Sequence, residues 1–345
     1  LSFESSFFYF RFLFFIISVK LIFSKQKIYI KYFFLSFLLA FLILSFDSIF
    51  QYSFGFNIFG FEYDGIRLSS FFNNEKKMGS YLARLTPIFL GLSILLYGHS
   101  KNKIILILIL ILFIDVIVIL SGERSSIFYI LLSTALITIL IKRWKLYRLI
   151  AFVISILIST ILIFSNQNIK DRVVLKTLDQ TNILNEKINT FSIQHQVIYS
   201  TALKIFNDHK LFGIGPKQFR VKCKLEKYKT YTELDGSVDG CQSHPHNTYV
   251  QLLVETGIIG FLFIFLIFLY INYLFLRHIY YMIFKKKYVI SDHNICFFVA
   301  IYINLWPIVP TGSFFNNWLS IIYFIPIGLI LVNFDIMKND IKDTQ

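Results

Sequence analysis

The chain has 345 residues, 56% of them hydrophobic, with a mean hydropathy of +0.65. So apolar a composition excludes an ordinary soluble domain, and the apolar residues fall into runs of about twenty, the length of helix that crosses ~30 Å of hydrocarbon. The formal net charge of +14 does not point to nucleic acid, because the lysines and arginines gather in short connectors between the runs.

Continuous runs, not period-two alternation, predict an all-α polytopic transmembrane bundle and not a barrel. Spans are expected near residues 7–23, 29–50, 80–98, 103–120, 125–141, 147–165, 248–276, 294–311 and 318–334 of a single membrane domain covering 1–345. The first, carrying Arg11 and Lys20, is the weakest. With Leu1 in place of an initiator Met, the chain is expected to be a fragment with upstream spans missing. Basic residues mark alternate connectors: Lys25, Lys27 and Lys31; Lys101 and Lys103; Lys142, Arg143, Lys145 and Arg148; Arg277 and Lys285 to Lys287. By the positive-inside rule these face the cytoplasm, which puts 51–80, 121–124, 166–247 and 312–317 on the outer side.

Along the chain, the first outer connector offers Arg67, and Arg84 follows one turn into the third span, where a charge usually faces a polar cavity. Arg124 sits in the tight turn Ser121-Gly-Glu-Arg-Ser-Ser126, either snorkelling to the interface or presenting a planar fork to phosphate oxygens. The long segment 166–247, inserted between the sixth and seventh spans, is too large to be a passive link. Within it Ile188, Phe191, Ile198, Ala202 and Ile205 keep helical spacing, so 186–208 reads as an amphipathic helix with His195 on its apolar face. Arg172, Lys217 and Arg220 could contribute to an anion-binding surface there.

That helix should stop near Asn207-Asp208, and Gly213-Ile-Gly-Pro216 then forces a turn. Cys223 and Cys241 either close a disulfide or remain two thiols, and the charged stretch between them reads as a mobile flap. His244 and His246 stand at the mouth of the seventh span, where imidazoles can exchange protons near neutral pH. Two histidines at i and i+2 without neighbouring Cys or carboxylate make a weak metal site, so neither a metal nor a cofactor is expected. Gly257 and Gly260, near the outer end of that span, permit close packing or a break.

In these residues the chain resembles the O-antigen ligase and O-antigen polymerase family of bacterial envelope glycosyltransferases. The most specific match is His246-Asn247 at fixed spacing before Gly257 and Gly260. Arg124 in its serine-flanked turn and Asp208-His-Lys-Leu-Phe-Gly-Ile-Gly-Pro216 are also similar to family stretches. The resemblance covers about residues 60 to 335. It implies an inverting, metal-independent enzyme of the bacterial inner membrane with its active site facing the periplasm. The donor would be an undecaprenyl-diphosphate-linked glycan. The acceptor would be a hydroxyl of lipid A-core or of another carrier-linked glycan, with membrane lipids as further partners and no nucleic acid.

In that resemblance His246 matches the catalytic base, and Arg124 the arginine on the diphosphate. Arg67, Arg84, Arg172, Arg220, His195, His244 and Asn247 are candidate substrate contacts; Gly257, Gly260, Cys223 and Cys241 are structural. One departure is that His195, ahead of Tyr199, stands where members commonly place a second arginine. The competing class is a non-enzymatic transporter or flippase of the same lipid-linked oligosaccharides. It accounts for spans and cations but gives no reason for a histidine at this spacing.

Overall fold

The structure is a computed structural model that describes residues 7, 9–75, 77–165, 167–171, 191–231 and 239–332. Its principal helices are α1 Arg11–Lys25, α2 Lys27–Phe54, α3 Met78–Tyr97, α4 Lys101–Leu120, α5 Arg124–Leu140, α6 Lys145–Ser165, α7 Ile193–Asp208, α8 Thr248–Phe284, α9 Asp292–Asn304 and α10 Asn317–Ile330. Among the described residues β pairing is limited to isolated bridges at Phe56 with Glu62 and Tyr231 with Asp239. The expected all-α, polytopic class is what is found. Among the described residues five helices (α2 from Ile28, α3, α4, α6 and α8) are long and apolar enough to cross a membrane, and α5 and α10 are shorter apolar helices. The first and eighth expected spans are helical over only 15 and 13 residues, as α1 and α9.

The chain divides into two compact units. A bundle unit comprises Phe15–Val174, Leu274–Asn304 and Tyr323–Gln345; a histidine unit comprises Leu1–Phe14, Leu175–Tyr273 and Leu305–Ile322.

In the bundle unit α3 is the central element, packed against α2, α4, α5 and α9 and buried along most of its length. Hydrogen bonds sort the unit's connectors into two ends. At one end Arg67 Nε donates to the Ser121 carbonyl at 3.3 Å, joining the 55–77 connector to the α4–α5 turn. At the other, the Asp292 carboxylate accepts the amides of Lys142 and Arg143 at 2.8 and 2.9 Å, and Trp144 Nε1 donates to the Gly98 carbonyl at 3.1 Å. The 55–77 and α4–α5 connectors thus share one end, and the connectors at Gly98, at 141–144 and before Asp292 share the other.

The 55–77 connector is irregular, and polar residues buried in α2 satisfy its backbone. Asp47 Oδ1 accepts the Ile58 amide at 2.9 Å and Gln51 Oε1 accepts those of Ser69 and Ser70 at 3.1 and 2.8 Å. Without Gln51 the amides of buried Ser69 and Ser70 would be left unpaired, at about 1–3 kcal/mol each. Arg148, read from sequence as one more connector charge, is instead buried one turn into α6. It pairs through both terminal nitrogens with Asp115 of α4 and donates to Thr134 Oγ1 of α5 at 2.7 Å. A charge this deep is retained because a planar fork meets a carboxylate and a hydroxyl.

In the histidine unit α7 ends at Asp208, as expected, but begins only at Ile193, so Phe191 and Ser192 of the predicted helix lie before it; residues 186–190 lie outside the described residues. Its Ile198, Ala202 and Ile205 pack with Phe219, Cys223, Tyr228 and Val254. The disulfide Cys223–Cys241 is present, with Cα atoms 5.1 Å apart. The expected flap is in part well anchored: Tyr228 is buried and its hydroxyl donates to Asp208 Oδ2 at 2.8 Å. Gly236 lies outside the described residues.

The expected span 294–311 stops as a helix at Asn304, and the next residues form an irregular strap. Pro307 and Pro310 are the cause, since proline lacks the N–H a helix needs and biases its predecessor toward extended backbone. The buried ion pair yields a stability prediction. Asp115→Ala should cost about 3–5 kcal/mol by stranding Arg148, whereas Asp115→Leu with Arg148→Met should recover most of it. Unfolding of the detergent-solubilised protein measures both.

Candidate active site

The histidine unit assembles its site at the start of α8. Asn247 is the N-cap: its Oδ1 accepts the amides of Tyr249 and Val250 at 3.0 and 3.1 Å, satisfying donors that a helix start leaves unpaired. Its Nδ2 donates to the Pro307 carbonyl at 2.7 Å, and Tyr249 Oη donates to the Leu305 carbonyl at 2.6 Å. The strap 305–311 is thus fastened to the first turn of α8. Asn247, a candidate substrate contact by sequence, is committed to this fastening.

His246, just before the cap, has φ +56°, a left-handed conformation uncommon outside glycine. Its carbonyl accepts the Thr311 amide at 2.8 Å, so the strap holds the strained residue. Residues kept in such regions cluster at functional sites. The His244 ring centroid lies 4.1 Å from that of His246, and the His195 ring 6.1 Å away, edge-on at 88°. Ser243 Oγ lies 2.9 Å from His244 Nδ1, and Ser192 Oγ lies 2.7 Å from His195 Nδ1.

His195 reaches this cluster because it is one turn before Ile198, on the face that α7 buries. Partial burial, then the nearby His195, lowers the His246 pKa from the ordinary histidine value, which favours the neutral imidazole. Burial also pushes Tyr199, next to His195, up to about 12. Among the described residues no group of three or more His, Cys, Asp or Glu is arranged to hold a metal ion.

What aims α8 is a break at Gly257, at φ +65° and ψ −171°, a region only glycine enters readily. The break frees backbone groups, and the 210–215 turn satisfies them. Ile214 and Gly215 amides donate to the Val254 and Glu255 carbonyls at 2.9 and 2.8 Å, and the Ile258 amide donates to the Lys210 carbonyl at 2.9 Å. The crossing is as close as backbones allow. A Cβ on Gly257 would lie 2.1 Å from the Leu211 carbonyl oxygen, and one on Gly213 2.5 Å from the Glu255 carbonyl carbon. Gly260, the second glycine of the motif, stays within the helix.

Two residues the sequence reading passed over brace the same region. Buried Glu255 accepts the Phe219 amide at 3.1 Å and Gln251 Nε2 at 2.8 Å; Gln251 also donates to Ser313 Oγ at 2.9 Å and accepts the Phe314 amide at 2.8 Å. The available signal was two polar residues one helical turn apart in an apolar run. Arg220 is exposed on the short helix Phe219–Lys222, and Arg172 lies outside the described residues.

The bundle unit holds the other candidate cations. Arg124 is the first residue of α5 and half-buried. Beside it, the Glu123 carboxylate accepts the Gly79 and Ser80 amides at 3.0 and 3.1 Å, capping α3 from the neighbouring turn, and accepts Ser126 Oγ at 3.0 Å. Burial raises the Glu123 pKa, opposed first by the Arg67 charge. Arg84 is buried: its Nε donates to Ser80 Oγ at 3.0 Å and Nη2 to Tyr129 Oη at 2.8 Å, Nη1 meets Asn304 Oδ1, and its guanidinium lies 4.4 Å from the Tyr129 ring centroid. Arg67, Glu123, Arg124 and the start of α3 therefore share one end of the bundle.

Apolar helices of spanning length, broken at a glycine and capped by a histidine cluster, define a multi-pass helical membrane protein with a polar site at a helix mouth. Residues 105–265 match the family model described as O-Antigen ligase, which bears out the resemblance carried by the motifs and implies glycan transfer of the O-antigen ligase type. The matched stretch contains Arg124, His195, His246, Gly257 and Gly260. No curated protein matches the chain.

Gly257→Ala tests the crossing. Backbone strain alone should cost about 1–3 kcal/mol, with the clash at Leu211 added. The expected result is a lowered melting temperature and greater proteolysis between residues 209 and 216; unchanged melting would contradict the geometry.

Proposed function

We propose that this protein transfers a glycan from an undecaprenyl-diphosphate carrier to a hydroxyl of lipid A-core or of another carrier-linked glycan, at the periplasmic face of the bacterial inner membrane. His246 takes the proton from the acceptor hydroxyl as its oxygen bonds to the anomeric carbon. The bond from that carbon to the diphosphate oxygen breaks, the diphosphate departs with the electron pair, and the configuration inverts. Arg124 binds the diphosphate and offsets its growing charge. A diphosphate is already a good leaving group, so a base and a cationic clamp suffice and the reading calls for no metal.

The observation that carries this reading is the state of His246: a strained residue, fixed by the Asn247 cap and the Thr311 amide, with burial and the nearby His195 favouring its neutral imidazole. A fixed backbone spares the reaction the entropy of positioning a base, and only the neutral ring can accept a proton. The family match adds glycan transfer and lipid-linked glycan substrates in general. His195 and His244 then serve as neighbours that tune and orient the base.

Purified protein in nanodiscs with a defined carrier-linked donor tests the assignment. His246→Ala should lower transfer by about 10²- to 10⁴-fold at unchanged fold; normal turnover would refute the base. Arg124→Ala should fall further than Arg124→Lys, because lysine keeps the charge and loses the fork. In wild type, kcat/KM should be flat above the ordinary histidine value of about 6.5 and decline on its acid side, since the lowered pKa keeps the base competent until lower pH. His195→Gln removes a charge that disfavours protonation of His246, so the decline should move to higher pH. A knockout separates the acceptors: lipopolysaccharide without any ladder marks a ligase, and core with one repeat marks a polymerase.

A further inference from the structure

The opposite end of the bundle unit holds a second polar site, away from the end that carries Arg67 and Arg124. A cavity of about 240 Å³ opens where the end of α3, the α5–α6 connector and the start of α9 meet, lined by His99, Arg143, Trp144, Asp292 and His293. A hollow lined by His99, Arg143, Trp144 and Tyr147 lies alongside.

Three features mark it as built. Trp144 has φ +65°, a strained conformation for a bulky residue, and its indole is locked by the Gly98 carbonyl. Asp292, the acid in the lining, has each carboxylate oxygen taken by a backbone amide, from Lys142 and Arg143. Among the described residues the exposed Arg143 guanidinium meets His99 Nδ1 at 3.2 Å and no carboxylate. Because arginine can only donate, His99 Nδ1 accepts there and its ring proton sits on Nε2, a further donor. Arg143 so retains most of its five donors beside an aromatic wall.

Exposed Lys101, Lys103, Lys142 and Lys145 belong to the same end, giving it a strongly positive field. A planar fork, an imidazole donor and a tryptophan at the edge of apolar helices suit one chemistry, an oxygen-rich phosphate ester near the membrane interface.

We propose that His99, Arg143 and Trp144 form a phosphate-ester site, occupied by the headgroup phosphate of an anionic phospholipid. The anion bridges Arg143 and His99, and Trp144 and Tyr147 flank the glycerol. The site stands on these residues alone, independently of the role given to His246.

Native mass spectrometry of the full chain, released from nanodiscs holding phosphatidylglycerol and phosphatidylcholine in equal amounts, tests it. The expected result is at least tenfold preferential retention of phosphatidylglycerol, lost in Arg143→Ala with His99→Ala and partly kept in Arg143→Lys. Lys145→Ala, which removes an exposed charge outside the lining, should change retention less than twofold. Thermal unfolding identifies any variant that fails to fold, and Trp144→Phe then serves as the second variant, with faster lipid loss expected. Glycerol 3-phosphate is the soluble arm: variant-sensitive displacement of the lipid by it at submillimolar concentration would assign the site to a soluble ester and overturn the lipid. Equal retention of both lipids, or retention indifferent to all the lining variants, would overturn the site itself.

Discussion

The crossing of the 210–215 turn over the break at Gly257 is the constraint on which the histidine unit depends. A helix in an apolar setting cannot leave backbone donors and acceptors open, since each costs several kcal/mol without water. Gly257 opens three such groups, and Lys210, Ile214 and Gly215 close them with main-chain partners. Such partners must approach to backbone contact distance, so side chains at 213 and 257 are excluded together. α7, which leads into this turn, buries Ile198, Ala202 and Ile205, and this packing sets His195 beside His246.

The bundle unit solves the same problem by another route. Its irregular connectors are satisfied by polar side chains embedded in apolar helices: Asp47 and Gln51 for the 55–77 segment, Glu123 for the start of α3, Asp292 for the connector after α5. Each replaces water as the partner of main-chain amides, which accounts for carboxylates in a chain otherwise selected for oiliness. Arg67 and Arg124 owe their shared end of the bundle to these contacts, because the turn that carries Arg124 is tied to α3 through Glu123 and to Arg67 through Ser121.

Much of this was readable from the residues, and the failures have physical causes. Runs of apolar residues marked the helices and Gly213-Ile-Gly-Pro216 the turn, while Gly257 left packing or a break open and Cys223 and Cys241 left a cross-link or two thiols open. Hydropathy misjudged 305–311, because Leu-Trp-Pro-Ile-Val-Pro is apolar enough for a span while its prolines forbid the helix. Charge counting misjudged Arg148, because its partner Asp115 is remote in sequence and no local pattern announces the pair. Of the candidate site, His244 and His246 were adjacent on paper, but the arrival of His195 required the packing of α7. The commitment of Asn247 to the cap and strap required knowing where Pro307 would lie.

The cystine between residues 223 and 241 bears on how this protein can be handled. It ties the short helix Phe219–Lys222 to the segment that runs directly into His244, so the approach to the histidine cluster is anchored covalently on one side and by the proline strap on the other. Such a bond forms and persists only in oxidising surroundings. Thiol reductants added during purification would release one of those two moorings, so they are best left out of any preparation used to follow the histidine cluster.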